Sequence, residues 1–199
     1  MWSFEHDARR TGFKFIAGID EAGRGPLAGP VISAAVILPF DFPDPGINDS
    51  KKLSPKKREQ FFPVIMEHAV CVSTGRADHD EIDRINILAA SLKSMERAVN
   101  GLSIVPDYLL IDGKFTINST IAQKAIIKGD SRSISIAAAS IIAKVTRDAI
   151  MQKIHYDFPE YGFDRHKGYP TKAHRKALAE FGPCPWHRKS FKGVERKNT

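Results

Sequence analysis

Ten residues, 21–30, separate two strand-like runs, residues 14–20 (KFIAGID) and residues 31–38 (VISAAVIL). Parallel neighbours need a crossover of about a dozen residues or more, so these runs are predicted to pair antiparallel across a tight turn, Gly23-Arg24-Gly25-Pro26. Downstream the rhythm changes. Residues 41–49 form a proline-rich loop, and Ser54-Pro55 supplies an N-cap and first-turn proline for a helix to about residue 67. Residues 68–76 read as a third strand. Residues 78–100 place Ile82, Ile85, Leu88, Leu92, Met95 and Val99 at three- and four-residue steps, one helix closed by Gly101. Residues 108–111 are continuously apolar, a strand buried on both faces, ending at Asp112-Gly113. Residues 125–128 are predicted as another, ending at Gly129-Asp130. Residues 133–156 form a long helix and residues 171–181 a last one before Gly182-Pro183. Strands that first cluster and then alternate with helices indicate an α/β chain, a mixed sheet flanked by helices. One domain is expected across 1–199, with residues 1–13 an N-terminal extension and residues 162–199 a small basic helical segment.

Composition removes several classes. A chain of 199 residues buries roughly 70% of its unfolded surface, so its core needs no disulfide or metal. Cys71 and Cys184 are too few for a disulfide framework and lack zinc-ligand spacing. No apolar run reaches the ~18–20 residues of a membrane span, and residues 1–10 are polar, unlike a signal peptide. A reducing cytoplasm is the expected location. The net charge of +7 is concentrated at one end. Residues 1–161 hold 20 Lys+Arg against 20 Asp+Glu, whereas residues 162–199 hold 10 against 3. Phe163, Tyr169, Trp186 and Phe191 are interleaved there, which suits a phosphate backbone with sugars or bases to stack on. A solvated basic surface is the competing reading.

Acids recur at predicted strand ends: Asp20 and Glu21, then Asp112, then Asp130. The carboxyl ends of neighbouring strands meet in a crevice where ligands bind. Four carboxylates converging without basic partners repel unless cations intervene, and oxygen donors select Mg²⁺ or Mn²⁺ over zinc. Beside a basic face, such a cluster suits two-metal phosphodiester chemistry. Taken singly, each acid reads first as a turn former or cap, and Asp130 as an N-cap of the long helix; it is their joint placement that points to a site.

Residues 18–30, GIDEAGRGPLAGP, closely resemble the opening signature of the ribonuclease HII family, the type 2 ribonucleases H. Matches continue in order through Asp49-Ser50-Lys51-Lys52-Leu53-Ser54, Ile111-Asp112-Gly113, Gly129-Asp130-Ser131 and residues 135–148. Residues 166–171 (HKGYPT) and 187–191 (HRKSF) complete them. The type III relatives carry an extra N-terminal domain, so the short stretch before the first strand favours type II. The resemblance implies an RNase H-like fold and an endonuclease of the RNA strand in RNA–DNA hybrids. It also implies cutting at ribonucleotides embedded in duplex DNA, with Mg²⁺ or Mn²⁺ in a two-metal site and 3′-hydroxyl and 5′-phosphate products. Roles in ribonucleotide removal and primer RNA degradation follow from it. Asp20, Glu21, Asp112 and Asp130 fall on the family's catalytic, metal-binding acids. Gly23, Arg24 and Gly25 match the turn that senses the 2′-hydroxyl through backbone groups. Tyr169 matches the tyrosine that stacks on the next deoxyribose. Ser50, Lys51, Lys52, Lys144 and Arg147 are candidate phosphate contacts, each equally readable as surface. His166 and His174 are candidates to line the backbone groove, and no histidine pair is expected to bind metal. The expected partner is nucleic acid, with no membrane, no protein-docking motif and a monomeric state.

Overall fold

The computed structural model describes residues 1–194. Five strands form one mixed sheet: β1 (Ile16–Ala22), β2 (Val31–Ile37), β3 (Cys71–Ala77), β4 (Tyr108–Asp112) and β5 (Ala122–Ile126). Their spatial order is β3-β2-β1-β4-β5, so β1 is central. It pairs antiparallel with β2, from Ala17↔Ile37 to Ala22↔Ile32, and parallel with β4, from Ile16↔Tyr108 to Ile19↔Ile111. The ten-residue gap thus does make an antiparallel pair. The α-helices are α1 (Ser3–Arg10), α2 (Pro55–His68), α3 (His79–Ile85), α4 (Ile87–Asn100), α5 (Ile134–Asp157), α6 (Phe163–His166) and α7 (Lys172–Phe181).

Alternation along β1 divides the molecule into two layers. Ala17 and Ile19 pack with Ile111 and with Met95, Ala98 and Val99 of α4. Ile16, on the opposite face, packs with Leu110, with Ile136 of α5 and with Ala8 of α1. Between them, Gly18 lets α5 approach the central strand. A Cβ at Gly18 would lie 2.1 Å from the Ser135 carbonyl carbon. The buried run Ala137–Ala138–Ala139 keeps that face of α5 equally thin.

Four boundaries depart from the sequence reading. Residues 1–13 are not a plain extension, because α1 carries the buried Glu5 to the start of α5. There Glu5 Oε1 accepts from the Ser133 hydroxyl (2.5 Å) and the Ser135 amide (3.1 Å). The single helix expected over 78–100 breaks at Asn86, whose φ of 66° suits a short polar side chain. The Asn86 side chain caps α4 by accepting from the amides of Leu88 and Ala89, which ends α3 and restarts the chain. The fifth strand lies at 122–126 rather than 125–128, and it is a half-exposed edge strand. Its Gln123 and Lys124 hid it, while the apolar run that stood out, 125–127, is only its exit. Finally, the N-cap of α5 is Ser133, which accepts from the Ile136 amide, and not Asp130. The basic C-terminal segment is ordered around Tyr161, Phe163, Ala177 and Cys184, packed on Met151 and Ile154 of α5. Residues 195–199 of the segment expected at 162–199 lie outside the described residues.

Candidate active site

The acids at the strand ends do converge. Asp20 shares the face of Ile16 and Gly18, and Asp112 shares the face of Leu110. Since Ile19 is in register with Ile111, the next positions on these parallel strands are Asp20 and Asp112. Asp130 comes from the 3₁₀ turn Gly129–Ser131, between β5 and α5. One carboxylate oxygen from each of Asp20, Asp112 and Asp130 lies within 4.8 Å of the others. Local hydrogen bonds fix the group. Asp112 Oδ1 accepts from the Gly129 amide at 2.7 Å, tying β4 to the turn that carries Asp130. Asp20 Oδ1 accepts from the Glu21 amide at 2.7 Å. Asp20 is 2% exposed, and its Oδ2 is buried with no partner among the described residues.

Glu21 is the exception within the acid set. As the residue after Asp20 in a strand it takes the opposite face, and it stands outside the three-acid group. Its Oε1 meets Arg24 Nη1 at 3.4 Å.

Electrostatics describe a site that holds excess negative charge. Burial pushes the Asp20 carboxyl well above its ordinary range, and the charges of Glu21 and Asp112 push it further. Burial likewise raises Glu21 to about 7 despite the opposing pull of Arg24. Asp130 is raised by burial, then by Asp112 and Asp49. The expected absence of basic partners does not hold: Lys51 Nζ lies 3.5 Å from Asp130 Oδ2. Burial works to lower the Lys51 pKa, but Asp20, Asp130, Asp49 and Asp112 outweigh it and hold the ammonium protonated. Three oxygen donors, an unpartnered buried oxygen and a lysine drawn to the cluster fit a hard divalent cation.

Next to the acids, the chain turns at Gly23 with φ +102°, and a Cβ there would meet the Arg147 side chain at 2.1 Å. Arg24 and Gly25 are exposed, and their amides have no acceptor among the described residues. Gly25 faces Tyr169, whose Cε1 would lie 3.7 Å from a Cβ placed on that glycine. Tyr169 is 41% exposed and follows two left-handed residues, Lys167 and Gly168. The Lys144 ammonium sits 5.9 Å from the centre of its ring. From there a groove of about 580 Å³ runs between α2, α5 and α6, past Arg58, Lys144, Asp148 and Lys167.

A family model described as Ribonuclease HII matches residues 17–194. The chain belongs to the ribonuclease HII family. It is therefore an endoribonuclease of the RNA strand in RNA–DNA hybrids, as residues 18–30 implied. A curated Ribonuclease HII from Geobacter metallireducens is 58% identical over 195 residues, covering 98% of this chain and 92% of that one. One from Bacillus licheniformis is 54% identical and covers 98% and 76%. The crystal structure of ribonuclease H2 from Pyrococcus horikoshii OT3 matches with a TM-score of 0.78 at 27% identity, over 91% of this chain and 95% of that one. Bst-RNase HIII in complex with Mn²⁺ shares the fold, with a TM-score of 0.69 at 19% identity over 94% and 70%.

Against this family frame, the basic residues proposed as phosphate contacts divide. Lys51 is exposed beside the acids, Lys52 is exposed next to it in the chain, and half-buried Lys144 lines the groove, where it pairs with Asp148 at 2.8 Å. Arg147 does not fit that role, being 0% exposed with its guanidinium engaged by backbone carbonyls. Sharing a helix face with Lys144 did not put it in solvent, because the C-terminal segment folds over its end of that face. Ser50 is also buried, its hydroxyl accepting from Ser140 at 2.6 Å. His166 lines the groove, whereas His174 is buried against His187, with Nε2 atoms 3.0 Å apart. The sequence reading missed Asp49, whose charge acts on Asp130, although it opens a stretch already singled out. It also missed that Arg188 is buried beneath the Gly23–Pro30 turn with its guanidinium bound to backbone carbonyls, since composition offered only another cation in a basic segment.

Proposed function

We propose that Asp20, Asp112 and Asp130, joined by Glu21 from the opposite strand face, hold two divalent cations, Mg²⁺ or Mn²⁺. On this reading the enzyme cuts the RNA strand of hybrids and lone ribonucleotides in duplex DNA, leaving 3′-hydroxyl and 5′-phosphate ends. The observation that carries it is the meeting of three carboxylates within 4.8 Å, one bearing a buried oxygen, beside a turn with two amides, that oxygen and those amides having no partner among the described residues. Bound divalent ions supply Lewis acidity at the phosphate and a water acidic enough to attack it.

The protein's own groups do the remaining work. Asp112, locked by the Gly129 amide, and Asp20, locked by the Glu21 amide, present oxygens that need no reorganisation. Without metal Glu21 titrates near 7, so binding the cations would release its proton near neutral pH. Arg24 and Gly25 offer amide donors to a 2′-hydroxyl, the group that separates RNA from DNA. Gly25 leaves the space in front of Tyr169 open for the sugar. Tyr169 supplies a ring for the following deoxyribose, and Lys51, Lys52 and Lys144 meet the phosphates flanking the cut. Residues 162–194 of the basic segment form the second wall of the substrate groove. We place the enzyme as a monomer in the cytoplasm, where its two free, buried cysteines stay reduced, serving ribonucleotide removal and primer degradation. Among the described residues no helix is long and apolar enough to cross a membrane.

A divalent-metal assay on a duplex with one embedded ribonucleotide, with end-group analysis, tests the reading. Cleavage at the ribonucleotide with Mg²⁺ or Mn²⁺, and none of the all-DNA duplex, is expected. Full activity in EDTA, or cutting of the all-DNA duplex, would refute it.

A further inference from the structure

Two arginines are wholly enclosed, each 0% exposed, and neither forms an ion pair among the described residues. Arg188, in the segment after α7, donates from Nε to the Gly29 carbonyl (3.0 Å) and from Nη1 to those of Arg24 (3.0 Å) and Pro26 (2.8 Å). Its Nη2 donates to the Gly23 carbonyl at 2.6 Å. Arg147, on α5, donates from Nε to Pro30 (2.9 Å), from Nη2 to Ala28 (3.1 Å) and from Nη1 to Lys167 (3.0 Å). The Leu27 carbonyl accepts from the Arg188 amide at 2.8 Å. Every carbonyl from Gly23 to Pro30 except that of Gly25 is therefore held by one of these two residues.

The consequence follows from peptide geometry. Across a planar trans peptide, the C=O of one residue and the N–H of the next point in opposite directions. Drawing the Gly23 carbonyl inward aims the Arg24 amide outward, and drawing the Arg24 carbonyl inward does the same for Gly25. These are the two exposed amides that lack an acceptor. Two buried cations behind the turn also polarise the peptides they bind, strengthening the outward donors. The arrangement is costly, because burying a guanidinium without a carboxylate sacrifices hydration that carbonyl dipoles only partly replace. Burial lowers the pKa of Arg188 to about 9 and of Arg147 to about 10, yet both stay charged at neutral pH. Arg147 also joins the turn to the Tyr169 segment through Lys167, and the Leu27 amide joins it again through the Gly168 carbonyl at 2.8 Å.

We propose that Arg188, backed by Arg147, is the positioning residue for ribose recognition: it turns the Gly23 and Arg24 carbonyls inward so that the Arg24 and Gly25 amides face a 2′-hydroxyl. This rests on the function proposed above. The test measures a selectivity ratio, the Kd for an all-DNA duplex divided by the Kd for the same duplex with one ribonucleotide. An Asp20→Asn background prevents cleavage. Arg188→Lys keeps the charge but loses the planar fork, so the ratio is expected to fall by roughly tenfold. Arg188→Lys leaves buried carbonyls of the turn short of donors, so its thermal midpoint is expected to fall, whereas its Mn²⁺ affinity, measured with Asp20 intact, should stay close to that of the wild type. An unchanged ratio in a folded Arg188→Lys protein overturns the proposal, as does a ratio that falls only together with Mn²⁺ affinity. A variant-free check follows the Arg24 and Gly25 amide resonances of the parent. Shifts are expected with the ribonucleotide duplex and not with all-DNA, and two silent amides overturn the proposal even if Arg188→Lys fails to fold. If the parent itself shows no discrimination, the failure lies in the functional reading and not in the role of Arg188.

Discussion

At the scale of single residues, the acids show how a site can oppose the fold that carries it. Asp20 sits in a buried position that raises its pKa, beside Glu21 and Asp112, so its charge is stabilising only when a cation is near. Asp20→Asn removes the repulsion and keeps the shape. It is expected to abolish cleavage while raising metal-free stability by about 1 kcal/mol, measured by urea unfolding. Addition of Mn²⁺ should raise the wild-type thermal midpoint and leave the variant's unchanged. The glycines separate in the same way. Gly23→Ala meets the Arg147 side chain and an unfavourable φ, so the variant should lose stability, by ~1–3 kcal/mol. Gly25→Ala makes only ordinary contact with Tyr169, so it should fold normally and lose cleavage by filling the sugar's space. Equal loss of stability in the two variants would contradict that division. Asp20, Asp112 and Asp130 were legible in the sequence because each ends an apolar run or follows one. Arg147 and Arg188 were not, since residue type alone does not distinguish a guanidinium in water from one inside a nest of carbonyls.

The elements show which signals were strong enough to read and which were local compromises. The antiparallel start of the sheet, α2 with its Ser54 cap and α7 with its stop at Gly182-Pro183 were legible because their signals lie within a few residues. The break at Asn86 was not, because apolar spacing runs straight through it and only the αL-tolerant asparagine betrays it. The role of α1 was hidden for another reason: Glu5 acts 128 residues away, on the Ser133 hydroxyl. A carboxylate at the first turn of a long helix satisfies free amides and complements the macrodipole. Glu5→Ala should therefore lower stability by about 1–3 kcal/mol in urea unfolding, and it should weaken Mn²⁺ binding because the Asp130 turn leads directly into α5. Unchanged Mn²⁺ affinity would mean that the turn is held by Asp112 and the Gly129 amide alone.

For the whole molecule, two walls are built by different means and meet at one groove. The sheet and α5 bring the acids together, and the C-terminal segment brings Tyr169, closed by a buried chain of side chains. The Cys184 amide donates to His187 Nδ1 at 2.9 Å, so His187 Nε2–H faces His174 Nε2, and His174 Nδ1–H faces the Tyr169 carbonyl at 3.0 Å. Both rings are neutral, because burial lowers each pKa from 6.5 to about 4. Unfolding then takes up protons between pH 6.5 and 4, so this contribution is complete above pH 6.5 and is lost as pH falls toward 4. The raised carboxyls work in the opposite direction, and Glu21 favours the metal-free fold more as pH falls from 7 toward 4.5. The histidine share is isolated by difference: the stability advantage of wild type over His174→Gln should shrink as pH is lowered from 6.5 to 4. A constant difference would mean that the folded ring is not held neutral below pH 6.5, contrary to burial lowering its pKa. The sequence reading anticipated a basic, aromatic C-terminal segment but took its charge as one surface, whereas burial assigns Arg188 to the inside and Lys167 to the groove.

In the proposed function, catalysis depends on carboxylates from β1, β4 and the turn before α5 sharing divalent cations. Anomalous scattering from crystals grown with Mn²⁺ tests this most directly. The expected result is a strong peak bounded by Asp20, Asp112 and Asp130, with Lys51 displaced from Asp130; a map with Mn²⁺ elsewhere and none among these acids would contradict it.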